Sequence, residues 1–238
     1  MPNIIPISDL SNAAFLEAYA APGRIGLAGG ITLVDRVIAR AQRHLDKNHR
    51  WSHWSHAFLF EGPRADAKHW VFESDLDVHR KHVRLGVQEN RIDKYHDEKL
   101  YTALAVIDLG LTPAQTARLI THALDMVASR CRYSMRELLG TLIALHHPER
   151  RLAKNLLAQD ECFFCSAFVA HLFRQINIDL APGIETKNIT PEDIARTATP
   201  ATMYVLQRQK LKSYVRTVKT TVRARVRKRA RTVANILL

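Results

Sequence analysis

Apolar positions follow two different periods along this chain, and the switch between them outlines its organisation. Residues 1–30, with Pro6, Pro22 and Gly29-Gly30, read as a lead-in. Leu33, Val34, Val37, Ile38 and Ala41 then recur at helical spacing within ITLVDRVIARAQRHL. Residues 51–60 shift to a short aromatic and apolar run, a strand that ends at Glu61-Gly62-Pro63. A second short run at 69–73 follows a polar loop, and the two predict an antiparallel hairpin. Further strands are expected at 83–87 and 101–108. From Thr112 the period lengthens. Thr112-Pro113 is an N-cap with proline at the first helical position, and Leu119, Ile120, Ala123, Leu124 and Val127 continue an apolar helical face. Helices are also expected from Ser134 to about His146 and over 163–176. A short helix is capped at Thr190-Pro191, and a last strand is expected over 203–206. This order predicts an α+β fold with an antiparallel sheet packed against helices.

Composition changes little in that picture. With 238 residues, 47% apolar and 24% charged, the chain can bury one good core. No apolar run approaches the roughly 18 residues of a membrane span. The first residues lack the basic start and apolar stretch of a secretory leader, so a cytoplasmic protein is expected, with peripheral membrane attachment left open. The three cysteines, Cys131, Cys162 and Cys165, are too few and too unevenly spaced for a disulfide framework.

Charge changes the picture more. From residue 194 onward there are 12 Lys and Arg and no Asp or Glu, while residues 1–193 balance 23 basic against 23 acidic side chains. The excess of +12 therefore sits in the tail. Within 208–238, Leu211, Val215, Val218, Val222, Val226, Val233 and Leu237 fall mostly three or four apart, the pattern of a basic amphipathic helix. Such a helix suits an anionic membrane surface, or packs its apolar stripe on the body or on another subunit. Nucleic acid is the less favoured partner, because Tyr214 is the only aromatic residue there.

The candidate chemistry lies in ECFFCSAFVAHLFRQI, residues 161–176. Cys165 and Ser166 open a helix with an apolar face. The positive end of the helix dipole and the free first-turn N–H groups favour a thiolate there and offer donors to an oxyanion. The plainer alternative is that Cys165 is a small buried hydrophobe. Cys162 and Cys165 formally make C-x-x-C, but zinc would need a second tight pair of ligands and a thioredoxin-like site a βαβ setting, and neither is present. Among 12 histidines, His56 stands out in WSHAFLFEG, a strand able to hold an imidazole rigidly; His53 is its competitor. A core histidine satisfied by the backbone is the alternative reading of His56.

These pieces together resemble a known family. WSHAFLFEG (54–62), HWVFESD (69–75), RYSMRELLG (132–140), FFCSAFVAHLF (163–173) and NITPEDIART (188–197), in that order with His before Cys, resemble the YiiX/YebB-like permuted papain-like hydrolases. These are the circularly permuted branch of the NlpC-type cysteine hydrolases, distantly similar to lecithin:retinol acyltransferase. The resemblance runs from about residue 25 to 206 and implies a circularly permuted papain-like domain, taken as residues 1–207; the basic helix at 208–238 is a departure that the family pattern does not require. It implies Cys165 as nucleophile, His56 as base and Glu73 as the group that orients His56. Glu73 could otherwise be a strand-edge charge. Tyr133, Trp54 and Ser166 are candidate substrate-binding residues. The substrate would be a peptide-like amide or a lipid ester, acylating Cys165, with no metal or organic cofactor required. The alternative function is a catalytically silent scaffold that binds anionic membrane or another polyanion through its tail.

Overall fold

A computed structural model describes residues 1–79, 82–129 and 164–207. The expected helix at 134–146, Tyr133, Cys131, Cys162 and the basic tail lie outside the described residues. The described residues up to Leu206 belong to one compact unit.

Seven strands make one sheet in the order β1-β7-β6-β2-β3-β4-β5. They are β1 (Asn3–Ile7), β2 (Ile25–Gly30), β3 (His56–Pro63), β4 (His69–His79), β5 (His82–Arg91), β6 (Tyr101–Asp108) and β7 (Thr202–Leu206). The helices are α1 (Asn12–Tyr19), α2 (Leu33–Ala41), α3 (Pro113–Ala128), α4 (Cys165–Gln175) and the short α5 (Pro191–Ala195). The expected β3–β4 hairpin is present, and β4 runs on well beyond residue 73. The boundaries of β6 match those expected.

Two expectations are corrected. The sheet is not wholly antiparallel, because β1 pairs with β7 in parallel. Residues 1–30 are also no lead-in: they hold β1, α1 and β2, and β2 is the sheet's central strand. Its sequence IGLAGG resembles a loop because glycine commonly breaks strands. Here the missing side chain makes room. A Cβ on Gly26 would come within 2.1 Å of the Phe58 ring on the neighbouring strand, so only glycine lets that ring lie against β2. Pro6 is tolerated in β1 because that strand is at the sheet edge.

Alternation along the strands gives the sheet two buried faces. Ala57 and Leu59 of β3, Phe72 of β4 and Ala105 and Ile107 of β6 pack with Leu119 and Ala123 of α3 and the buried side of α4. Phe58, Phe60, Val71, Leu104 and Val106 point the other way, onto Phe15 and Leu16 of α1 and onto Ile92 and Tyr95 of a 3-10 turn, Ile92–His96. Thr112 closes a capping box with Gln115 at the start of α3, and Thr190 does the same with Asp193 before α5.

Candidate active site

The fold brings His56, Glu73 and Cys165 together from three elements. His56 is the first residue of β3, on the same side of the strand as Phe58 and Phe60. Cys165 is the first residue of α4 and belongs to the core of the opposite face. The two meet at the start of β3, where Cys165 acts on the charge state of His56. Both line one cavity of about 320 Å³, together with Asp75, Tyr95 and Tyr101.

Glu73, on β4, is fully buried (0% exposed), so it is not a strand-edge charge. A buried carboxylate survives only if its acceptor sites are filled. All four are. His56 Nε2–H donates to Oε2 at 2.8 Å, and the Tyr95 hydroxyl donates to the same oxygen. Asn90 Nδ2 and Lys94 Nζ each donate to Oε1 at 2.6 Å. Lys94 also bridges to Asp75 Oδ2 at 2.8 Å. With Nε2 committed to Glu73, the ring nitrogen left for Cys165 is Nδ1.

The electrostatics follow from these contacts. Burial alone would push Glu73 up, but the Lys94 ammonium and the hydrogen bond from His56 hold its carboxyl well below the usual range. Lys94 loses stability as a cation through burial, yet Glu73 and Asp75 together keep it protonated far above its ordinary range. For His56, burial works against the imidazolium. Attraction to Cys165 and Asp75, with the hydrogen bond to Glu73, outweighs that and raises it well above an ordinary histidine. Burial, then the charge of Glu73, pushes the Tyr95 phenol well up, so it remains a hydrogen-bond donor.

A short chain of contacts fixes this arrangement. The Phe58 ring, admitted by Gly26, stacks on Tyr95 with centroids 4.3 Å apart and planes 13° from parallel. Tyr95 holds Glu73, and Glu73 holds His56. On the α4 side, Phe164 is the N-cap residue and its side chain makes no capping bond. Among the described residues, the first-turn N–H groups of α4 have no side-chain cap at the N-cap position.

The other candidate residues fall elsewhere. Ser166 is fully buried and donates its hydroxyl to the Ile189 carbonyl at 2.7 Å, tying α4 to the segment before α5. Trp54 is buried in the core cluster that contains Cys165, and Gln42 Nε2 holds its carbonyl at 2.7 Å. His53 lines a different cavity, with Asp46, Arg50 and Glu192. Asn90, Lys94 and Tyr95 were not anticipated. They come from β5 and from a turn about 20 residues along the chain from Glu73, and no local pattern marks them.

His56, Glu73 and Asp75 also present ligand atoms within 4.8 Å of one another, a grouping able in principle to hold a metal ion. No helix of the described residues is long and apolar enough to cross a membrane.

No protein-family profile matches the sequence, and no curated protein matches it. Solved structures do. The crystal structure of the metalloprotein YiiX from Escherichia coli O157:H7 superposes with a TM-score of 0.51 at 13% identity, over 80% of this chain and 98% of that one. The mixed α+β fold with its seven-stranded sheet is therefore similar to the fold of YiiX.

Proposed function

We propose that the chain is a cysteine hydrolase or acyltransferase of the circularly permuted papain-like type, working through an acyl-enzyme at Cys165. The observation that carries this reading is the buried Glu73–His56 hydrogen bond at 2.8 Å, with His56 and Cys165 lining one cavity. A structural cysteine needs no such partner, and a structural histidine needs no carboxylate supported by four donors.

Each group has a role in the proposed reaction. Glu73 holds Nε2–H, fixes the ring orientation and stabilises the imidazolium. The thiolate of Cys165 attacks a carbonyl carbon and forms a C–S bond, with the oxyanion facing the first-turn N–H groups of α4. As the tetrahedral intermediate collapses, the bond to the leaving nitrogen or oxygen breaks and His56 Nδ1–H supplies its proton. Neutral His56 then takes a proton from water, or from another acceptor nucleophile. That nucleophile attacks the thioester, the C–S bond breaks, and the thiolate–imidazolium pair is restored. An amide and an ester both satisfy this scheme.

YiiX is described as a metalloprotein, so the fit of a metal to His56, Glu73 and Asp75 must be tested against the contacts. They do not accommodate one. Both Glu73 oxygens already accept two donors, and the Lys94 ammonium bridges Glu73 and Asp75 at 2.6 and 2.8 Å, where a cation would sit. No step of the proposed reaction passes through a metal.

The test is iodoacetamide labelling of the native protein across pH, with site-resolved mass spectrometry, on wild type and His56→Ala. Because His56 keeps its proton well above the ordinary histidine range, an imidazolium stands by Cys165 from mildly acidic to neutral pH. Labelling should select Cys165 below pH 7 and weaken by about 10²-fold or more in His56→Ala. Slow labelling, equal at the three cysteines and indifferent to His56, would sink the enzyme reading in favour of a silent scaffold.

A further inference from the structure

One wall of the cavity that holds His56 and Cys165 is α2, a helix with no buried residue. At about 100° per residue, Leu33, Val37, Ala41, Val34 and Ile38 occupy one continuous arc of about 140°. A helix in a soluble domain normally turns such an arc to the core. This one does not. Leu33 is 78% exposed, Val34 45% and Val37 46%, with Ile31 and Leu100 also exposed. The helix is held instead by its polar side. Asp35 caps Thr32 and accepts a hydrogen bond from Ser55 at 2.6 Å, while Gln42, just past the helix, donates to the Trp54 carbonyl.

Three neighbouring features indicate what the arc meets. One edge runs into the cavity, because Val34, Ile38 and Leu100 line it together with His56 and Cys165. The other edge is cationic: Arg36 and Arg40 flank Leu33 on the helical wheel, both exposed, and Lys47 is exposed just beyond. Trp51 is half-exposed beside the C-terminal half of α2, where Ser52 N–H binds the Ala39 carbonyl. An apolar arc with a cationic flank and an adjacent tryptophan is the chemistry of a helix lying in an anionic lipid interface.

We propose that α2 docks the protein on anionic bilayers, its apolar arc dipping among the acyl chains so that the catalytic cavity opens onto the lipid surface. The active site then draws an acyl-bearing substrate directly from the bilayer. That last step rests on the thiol-hydrolase reading; the docking does not.

The test uses the full chain and phosphatidylcholine–phosphatidylglycerol vesicles brominated along their acyl chains. Leu33→Trp places a fluorophore on the arc outside the cavity lining, and Leu124→Trp places one on the exposed side of α3. Emission from Leu33→Trp should shift to the blue and be quenched several-fold more than that from Leu124→Trp. Leu33→Asp with Val37→Asp should weaken vesicle binding by about tenfold or more. Pure phosphatidylcholine should bind more weakly than the anionic mixture. Unquenched Leu33→Trp on protein that cosediments with vesicles, or no binding at all, overturns the proposal. Cys165→Ser separates the two readings: it removes thiol chemistry and should leave the quenching of Leu33→Trp unchanged.

Discussion

The two walls of the cavity that holds His56 and Cys165 are built on opposite terms. On one side, β3, β4 and the turn at Ile92–His96 bury Glu73 among four donors and stack Phe58 on Tyr95. On the other, α2 buries no side chain and is attached through Asp35 and the capping box at Thr32. The first wall fills both oxygens of Glu73 with donors, so it can hold an imidazole in one orientation. The second offers little apolar contact to lose, so it belongs to the less stable parts of the fold. In the proposed reaction, the chemistry that depends on geometry falls on the rigid wall, and the loosely held wall is left to the surface.

The sharpest way to break that comparison is Glu73→Gln. It keeps the shape of the side chain, removes the charge and presents an amide to donors that require an acceptor. Thiol-dependent turnover should fall by about 10²- to 10⁴-fold, by analogy with neutralising the acidic member of a catalytic triad. Stability should fall by about 3 kcal/mol, because Lys94 loses one of its two carboxylates. The pH dependence has a definite sign. The folded-state carboxyl is held below its unfolded value, so its contribution is present above the ordinary carboxylate range and is lost as pH falls through the folded value. Thermal melts of the wild type should therefore show an acid limb that Glu73→Gln flattens. If the substitution leaves both turnover and the acid limb untouched, the rigid wall is not what holds His56.

Gly26→Ala tests the same wall from its base. The added methyl would meet the Phe58 ring at 2.1 Å, so the ring that supports Tyr95 must move. We expect a loss of about 1–3 kcal/mol by denaturant titration, with slower labelling at Cys165 although the substitution touches neither His56 nor Cys165. Loss of stability with labelling unchanged would show that the stack supports the core alone.

Tyr95→Phe displaces less of the wall at a similar cost. It retains the stack on Phe58 and removes one hydrogen bond to a carboxylate that keeps three others. The expected cost is about 1.5–3 kcal/mol, the range for hydrogen bonds to charged groups. The pH profile of alkylation should shift as Glu73 becomes less well held, a change that a purely structural tyrosine would not produce.

How much of this was legible from residue order depended on the range of the interactions. Thr112-Pro113, Thr190-Pro191 and the strand at 101–108 are local signals, and the structure places elements there. Cys165 and His56 stood out because each sits in an apolar segment where a reactive side chain is out of place. Glu73 was reached only by resemblance, since a glutamate at a strand position looks like any surface charge until its partners are known. Those partners could not be read, because Lys94 and Tyr95 lie in a short turn whose residues obey neither period. The central strand was missed for a related reason. IGLAGG gains its place from a ring 32 residues later, and its glycines signal a loop until that ring is seen. The amphipathic spacing of α2 was plain, but spacing shows only that one face is apolar and does not show what covers it.

The smallest predicted effect tests that last point directly. Val37 and Val71 are the same residue type on opposite walls, one 46% exposed and one fully buried. Without lipid, Val71→Ala should cost about 2 kcal/mol or more, because its methyls leave a packed face. Val37→Ala should cost nothing, and the better helix propensity of alanine could stabilise the fold by up to about 0.5 kcal/mol. Denaturant midpoints of the two variants measure the difference. A cost at Val37 close to that at Val71 would mean the arc is already covered in solution, by another copy or another segment of the chain. The two walls would then be alike, and α2 would have no apolar face left for a bilayer. A difference near the full 2 kcal/mol would leave the arc uncovered, as docking on a bilayer requires.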